Sequence, residues 1–261
     1  MPIIGLLRVR NEARWIDSVV RAILPVCERI LILDDKSDDA TPQICAAIPR
    51  VTVFRSDASS CNESDDKDWL LTQAFAYVPE MYRRGNPESP WWGLLIDGDE
   101  ELMPDDLPTV AAMAESDAHA FRFRIPYLWN DENTIRVDGV YTHMAQVGRP
   151  SMFRLMNERF RFQRTRFGSS GQNFHCSSVP QEMLHHARSS TARLKHWGYM
   201  HAEDRIRKYH WYNQHDANNA TEDCYRHMVI GDLFPAESRF VHAGPLQLEP
   251  LIRGDQCRSA A

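Results

Sequence analysis

The sequence predicts an α/β fold, one domain built on a Rossmann-like mixed sheet with helices on both faces. Three observations carry that expectation. Short apolar runs alternate with stretches of helical periodicity, acidic residues cluster where two of those runs end, and 43% hydrophobic residues in a chain of 261 are enough for a full core.

The alternation begins at once. "IIGLLRV" (3–9) reads as a strand, and Ile16, Val19, Val20, Ile23 and Leu24 fall at helical spacing before Pro25 closes the run. "RILILDD" (29–35) is a second strand, "SDDATPQICAAI" gives a cap-rich turn and a short helix, and "VTVF" (51–54) is a third strand. After a polar stretch from Ser56 to Asp68, Leu70, Leu71, Ala74, Phe75 and Val78 mark an inward helix face, and a Gly/Pro/Ser loop leads to the strand "WGLLI". Strands separated by helices pair in parallel, and such sheets take ligands at the carboxyl ends of their strands. "HAFRFRI" (119–125) alternates in period two and predicts a half-exposed strand, with His119, Phe121, Phe123 and Ile125 on one face. Further short strands are expected at "TIRVDGVY" and "SMFRL", and helix, rich in His, Tyr and Trp, over 200–230. Residues 1–125 form the expected α/β core, and 126–261 a mixed half of the same domain.

Asp97 and Asp99 end the strand at 92–96. In extended chain, i and i+2 project to one side, with Cα atoms roughly 6.6 Å apart. Gly98 keeps the backbone between them low. Two direct ligands to one small cation are awkward at that spacing, so Asp99 is the expected metal ligand, with Asp97 acting through water or on a ribose hydroxyl. Asp-Gly also favours a tight hairpin turn, and a solvated turn is the competing reading. The continuation, Glu100, Glu101, Leu102, Met103 and Pro104, does not read as a returning strand. Asp34 and Asp35 end the second strand at the same sheet edge, where a carboxylate can accept a pyrimidine ring N–H; Ser37 to Thr41 also suit an ordinary helix cap.

A net charge of −6 gives no general attraction to phosphate polymers, so no nucleic-acid partner is expected. The six cysteines form no C-x-x-C pair, which argues against a zinc knuckle and a disulfide framework and for a reducing, cytoplasmic setting. "MPIIGLLRVRNE" lacks the features of a signal peptide, and no window is long and apolar enough to span a bilayer; peripheral membrane association stays open.

Three motifs in register, Arg10-Asn11-Glu12, Asp34-Asp35-Lys36-Ser37 and Asp97-Gly98-Asp99, resemble the family-2 glycosyltransferases, which have the GT-A fold and use nucleotide diphosphate sugars. A branch of that family is similar further on, at "RPSMFRL", "GQNFHCSSVP" and "LKHWGYMHAEDRIRKYHWY", so that the likeness covers about 1–215. Where the branch has Glu after His175, this chain has Cys176, and the "SDASSCNESDDKDW" stretch is more acidic than the family's. The resemblance implies that Arg8 and Arg10 line the nucleotide pocket with Asn11, that Glu12 steadies the loop or meets the ribose, and that Asp35, with Ser37 nearby, reads the base. It makes Lys67 the nearest candidate for a phosphate contact. Asp97 and Asp99 then serve ribose and a Mn2+ or Mg2+ ion, with His196 a further candidate ligand.

The resemblance also nominates Asp204 as the base of an inverting transfer, with Glu203 second; the plainer reading of both is a helix start complementing the dipole. His175, His196, His201 and His210 lack the i, i+4 spacing of a helical metal site. Trp197, Tyr199, Trp211 and Tyr212 are candidates for an apolar wall under a sugar ring, or for core. The expected activity is glycosyl transfer to an unidentified acceptor, a glycan, lipid, peptide or small metabolite, in an unknown oligomeric state. The rivals are a noncatalytic nucleotide- or carbohydrate-binding module, a nucleotidyltransferase, for which Gly5 alone makes no phosphate loop, and a metal-dependent hydrolase.

Overall fold

Period-two alternation decides how the first strand sits. In β1 (Ile3–Val9), Ile3, Leu7 and Val9 enter one hydrophobic core while Ile4 and Leu6 enter another on the opposite face. A computed structural model describes residues 1–57, 62–164, 176–216 and 225–252 of the chain. The first half runs β1, α1 (Ile16–Ile23), β2 (Arg29–Asp34), α2 (Thr41–Ala46), β3 (Val51–Arg55), α3 (Glu63–Phe75) and β4 (Trp92–Asp97). The second half adds β5 (Glu100–Leu102), α4 (Leu107–Ala114), β6 (Ala120–Arg124), β7 (Leu128–Trp129), β8 (Asp131–Arg136), α5 (Gly139–Gln146) and β9 (Arg149–Arg154). It continues with β10 (Phe162–Arg164), β11 (Cys176–Pro180), β12 (Ala187–His196), α6 (Ala202–His215) and β13 (Leu248–Pro250).

Eight strands form the main sheet in the order β3-β2-β1-β4-β9-β6-β12-β5. The four strands β3, β2, β1 and β4 are parallel; β9 joins β4 and β6 antiparallel, and β5 caps the far edge against β12. α1 places Ile16, Val19, Val20 and Ile23 on one core and α3 places Leu70, Leu71, Ala74 and Phe75 on the other. Full burial of each of these larger side chains contributes roughly 1.5–3 kcal/mol. Gly5 lets α1 approach closely, since a Cβ there would lie 3.1 Å from both Ile23 and Ile30. The mixed α/β sheet with helices on both faces is therefore as the sequence predicts.

Four local expectations change. α3 begins at Glu63, inside the stretch read as polar, because the Asn62 side chain caps the Asp65 N–H. Glu100–Leu102 does form a strand, but it pairs with β12 and not back on β4, so Asp97-Gly98 is no two-residue hairpin. β6 is an interior strand between β9 and β12, and Ala120 is as buried as Phe123. Residues from Gly139 to Tyr141 open a helix, with Gly139 at φ +48°, where the alternation suggested strand. Over 200–230 the helix is α6, and 217–224 lie outside the described residues. Among the described residues no helix is long and apolar enough to cross a membrane.

Candidate functional site

Parallel register brings three strand ends level: Val9 pairs with Asp34 across β1 and β2, and Arg8 with Asp97 across β1 and β4. The loops that leave β1 and β2 then bind each other. Asn11 (φ +55°) and Lys36 (φ +57°) turn the chain through left-handed backbone, which Asn tolerates better than most residues. Asn11 N–H donates to Ser37 Oγ at 2.9 Å, Glu12 N–H to Thr41 Oγ1 at 2.8 Å and Ala13 N–H to Asp39 Oδ2 at 3.0 Å, while Asp38 N–H donates back to Asn11 Oδ1 at 3.0 Å. Asp34, fully buried, accepts the Ser37 N–H at 3.3 Å. The caps that the sequence offered thus fasten one loop to the other.

Those loops and the end of β4 wall a cavity of about 300 Å3, closed on its far side by His196 and α6. Arg8, Arg10, Asn11, Glu12, Asp35, Asp97, Asp99 and His196 all line it. Arg8 spans two carboxylates, Asp35 at 2.5 Å and Asp66 at 2.6 Å, and Arg10 lies 3.8 Å from Asp35. Asp35 is thereby held at the mouth of the first two strands, facing the same space as Asp99.

The acids of the β4 end are met by two cations, one shared and one not. Arg149, at the start of β9, donates to Asp97 Oδ2 at 3.1 Å and to Glu100 Oε2 at 2.6 Å. Lys208 of α6 donates to Asp99 Oδ2 at 2.5 Å, and His196 Nε2 stands 3.7 Å from the same oxygen. Burial pushes the Asp97 and Asp99 carboxyls up, but Arg149 and Lys67 beside the first, and His196 and Lys208 beside the second, outweigh it and hold both below the usual range. Burial pulls His196 down to about 4 against the attraction of Asp99, which leaves a neutral imidazole. Burial and the nearby Asp99 charge push Glu12 up to about 8, and burial pushes Glu100 up to about 7 against the pull of Arg149. Gly98 packs against Glu12, whose Cγ would be 2.9 Å from a Cβ at 98.

Four nominated residues do not line this cavity. Ser37 is the loop fastener described above. Lys67 is buried with Glu63 at 2.6 Å and lines a second cavity of about 210 Å3, which shares Glu63 and Asp97 with the first. Asp204 is held by Arg14 and by Arg207, both at 2.9 Å, and Glu203 is an exposed neighbour of Arg14 at 3.3 Å. Of the four proposed wall aromatics, Tyr199, Trp211 and Tyr212 line the cavity, whereas Trp197 stacks on Trp15 with ring centroids 4.8 Å apart. His201 lies by Trp15, His210 is exposed, and His175 lies outside the described residues.

Sequence reading missed Lys208, Arg207, Arg149 and Glu63. Arg149 opens the "RPSMFRL" stretch, and Lys208 and Arg207 stand in the basic aromatic helix, but nothing local says which anion each meets.

Among the described residues no three His, Cys, Asp or Glu side chains are grouped as a ready-made metal site. The donors at hand, two carboxylates and a neutral imidazole, nevertheless suit a hard divalent cation that takes few protein ligands and completes its shell with phosphate oxygens. His196 Nδ1 is buried with no hydrogen-bond partner among the described residues, so these residues do not supply the second contact that orients most metal-ligating imidazoles.

No known family model matches the chain. Uncharacterized proteins of Mycobacterium bovis and Mycobacterium tuberculosis are each 27% identical over 133 residues, which is 50% of this chain and 31% of theirs. The match thus spans less than a third of the length of these curated relatives. Among solved structures, Staphylococcus aureus TarS aligns with a TM-score of 0.44 and 14% identity, over 87% of this chain and 42% of that one. Mannosyl-3-phosphoglycerate synthase from Rubrobacter xylanophilus gives 0.36 and 16%, over 51% and 42%. Glucosyl-3-phosphoglycerate synthase from Mycobacterium tuberculosis, crystallised with Mn2+, UDP and phosphoglyceric acid, gives 0.29 and 20%, over 48% and 43%. Likeness of this degree assigns no activity.

Proposed function

We propose that the chain transfers a sugar from a nucleotide diphosphate sugar to a hydroxyl-bearing acceptor, with Mn2+ or Mg2+ bound and with inversion at the sugar carbon. The observation that supports this most is that Asp35 and the Asp97-Asp99 pair, from separate strand ends, line one cavity. In this reading Arg8 orients Asp35, Asp35 accepts from the base, and Asn11, Glu12 and Arg10 frame the ribose. Asp99, Asp97 and His196 are the residues that would hold the cation. When bound, that ion supplies charge neutralisation as the diphosphate leaves, which favours the transition state over bound donor. Tyr199, Trp211 and Tyr212 offer the apolar wall for the sugar.

The acceptor oxygen attacks the sugar carbon from the face opposite the diphosphate, the carbon–oxygen bond to phosphate breaks, and the acceptor's proton passes to a carboxylate. Asp204 is the proposed base, with Glu203 second. For Asp204 to act, its pairs with Arg14 and Arg207 must open toward the acceptor; of these three side chains Arg207 is the one that lines the cavity.

The same ion pairs favour one second reading, a nucleotide-binding module of this fold without turnover. Calorimetry with UDP, GDP and dTDP in manganese tests both, and no binding of any of them overturns both. Release of the nucleoside diphosphate from the matching sugar nucleotide separates them. Asp204→Asn that retains full turnover with intact binding would acquit Asp204.

A further inference from the structure

The cation nearest the expected metal carboxylate belongs to the chain itself. Lys208 Nζ is 2.5 Å from Asp99 Oδ2, across 109 residues of sequence. The backbone beside His196 is shaped around this pair: a Cβ at Gly198 would run into both the Asp99 carboxylate and the Lys208 ammonium. Arg149 is differently placed, since its guanidinium is shared between Asp97 and the wholly buried Glu100. Among the described residues Asp99 is the one carboxylate within ion-pair distance of Lys208. The Lys208 stem lines the cavity with Nζ 5.6 Å from the Tyr199 ring centroid, and an ammonium on four rotatable carbons changes partner more readily than a forked guanidinium.

We propose that Lys208 is a tethered counter-cation that occupies Asp99 until a divalent ion arrives with the donor's diphosphate, and that it then moves onto the diphosphate oxygens. The inference rests on the reading of Asp99 as a metal ligand. Two cations crowded on one carboxylate oxygen repel each other strongly in a partly buried site. A diphosphate removes that conflict, because it brings the anionic oxygens a displaced ammonium needs. Metal alone therefore binds weakly, and metal and diphosphate each strengthen the other's binding.

The test is manganese binding to the full chain, read from the loss of the free Mn2+ signal in electron paramagnetic resonance, alone and with UDP, GDP or dTDP. The wild type is expected to bind manganese at least tenfold more tightly when its diphosphate is present. In Lys208→Met, manganese alone binds at least tenfold more tightly than in the wild type, and the enhancement by diphosphate shrinks. Lys208→Arg, which keeps the charge, binds manganese alone as weakly as the wild type. Circular dichroism checks folding, and if Lys208→Met does not fold, Lys208→Gln takes its place with the same expected result. Unchanged or weaker manganese binding in the folded neutral variant, while the wild type still binds metal with diphosphate, overturns this inference alone. Failure of the wild type to bind manganese with any diphosphate overturns the reading of Asp99 as well.

Discussion

The two sides of the cavity are held by different forces. On the side of the first two strands, backbone N–H groups of residues 11 to 13 donate to Ser37, Thr41 and Asp39, so the loops are fixed by short, directional bonds within the fold. On the side of β4 and α6, Asp97, Asp99 and Glu100 face Arg149 and Lys208, and position depends on charge against charge. The first side is preorganised to read a shape. The second holds its carboxylates by ion pairs, and under the proposed function the pair of Asp99 with Lys208 is the one that a metal ion would displace.

The difference between the sides is most exposed to test at Arg149. Arg149→Leu strands the buried Glu100 and is expected to lower stability by about 3 kcal/mol in urea denaturation. A loss below about 1 kcal/mol, the scale of an ordinary surface pair, would mean that this ion pair is not what fixes the charged side. Next in size, Asp99→Ala should reduce sugar-nucleotide turnover on the order of a hundredfold, about 2.7 kcal/mol, by removing the carboxylate of the charge-governed side. Undiminished turnover would take Asp99 out of the chemistry. On the hydrogen-bonded side, Ser37→Ala removes the acceptor of the half-buried Asn11 N–H, costs about 1 kcal/mol of stability and weakens nucleotide binding several-fold with little change in manganese binding. An equal effect on both ligands would erase the distinction between the sides.

Glu12 stands where the two sides meet and gives the smallest and most diagnostic effect. Its carboxyl, raised from 4.5 to about 8 by burial and by Asp99, keeps its proton in the fold at a pH where the unfolded chain has lost it. Its contribution to stability is therefore fully present below about 4.5 and is lost as pH rises through about 8. In metal-free protein, the thermal midpoint of Glu12→Gln is expected to fall less than that of the wild type between those limits. Parallel curves would show that Glu12 is ionised throughout.

The hydrogen-bonded side was largely legible in the sequence, and the charged side only in part. Strand periodicity located the ends of β1, β2 and β4, and Asn11, Asp34, Asp35, Ser37, Asp97 and Asp99 lie within a few residues of those ends. Arg149 and Lys208 could not be matched to their anions, because the pairings cross 52 and 109 residues and exist only after β9 and α6 dock. The same limit explains β6, whose burial comes from neighbours on both edges and not from its own alternation. It also explains Trp197, an aromatic of the right segment whose ring is taken up by Trp15. Over Gly139 to Tyr141 the apolar pattern was too short to separate strand from helix; in the fold Tyr141 is buried, T-shaped against the His227 ring with centroids 5.6 Å apart.

The proposed function requires Asp35 and Asp99 to serve opposite ends of one ligand. Calorimetry reaches that point most directly by comparing a nucleoside with its diphosphate, using whichever of UDP, GDP and dTDP binds, with and without manganese, in the wild type and in Asp35→Asn. Manganese should tighten the diphosphate at least tenfold and leave the nucleoside unchanged, while Asp35→Asn weakens both. Diphosphate binding that ignores manganese, or that survives Asp35→Asn intact, would contradict the assignment of the two carboxylates to a single ligand.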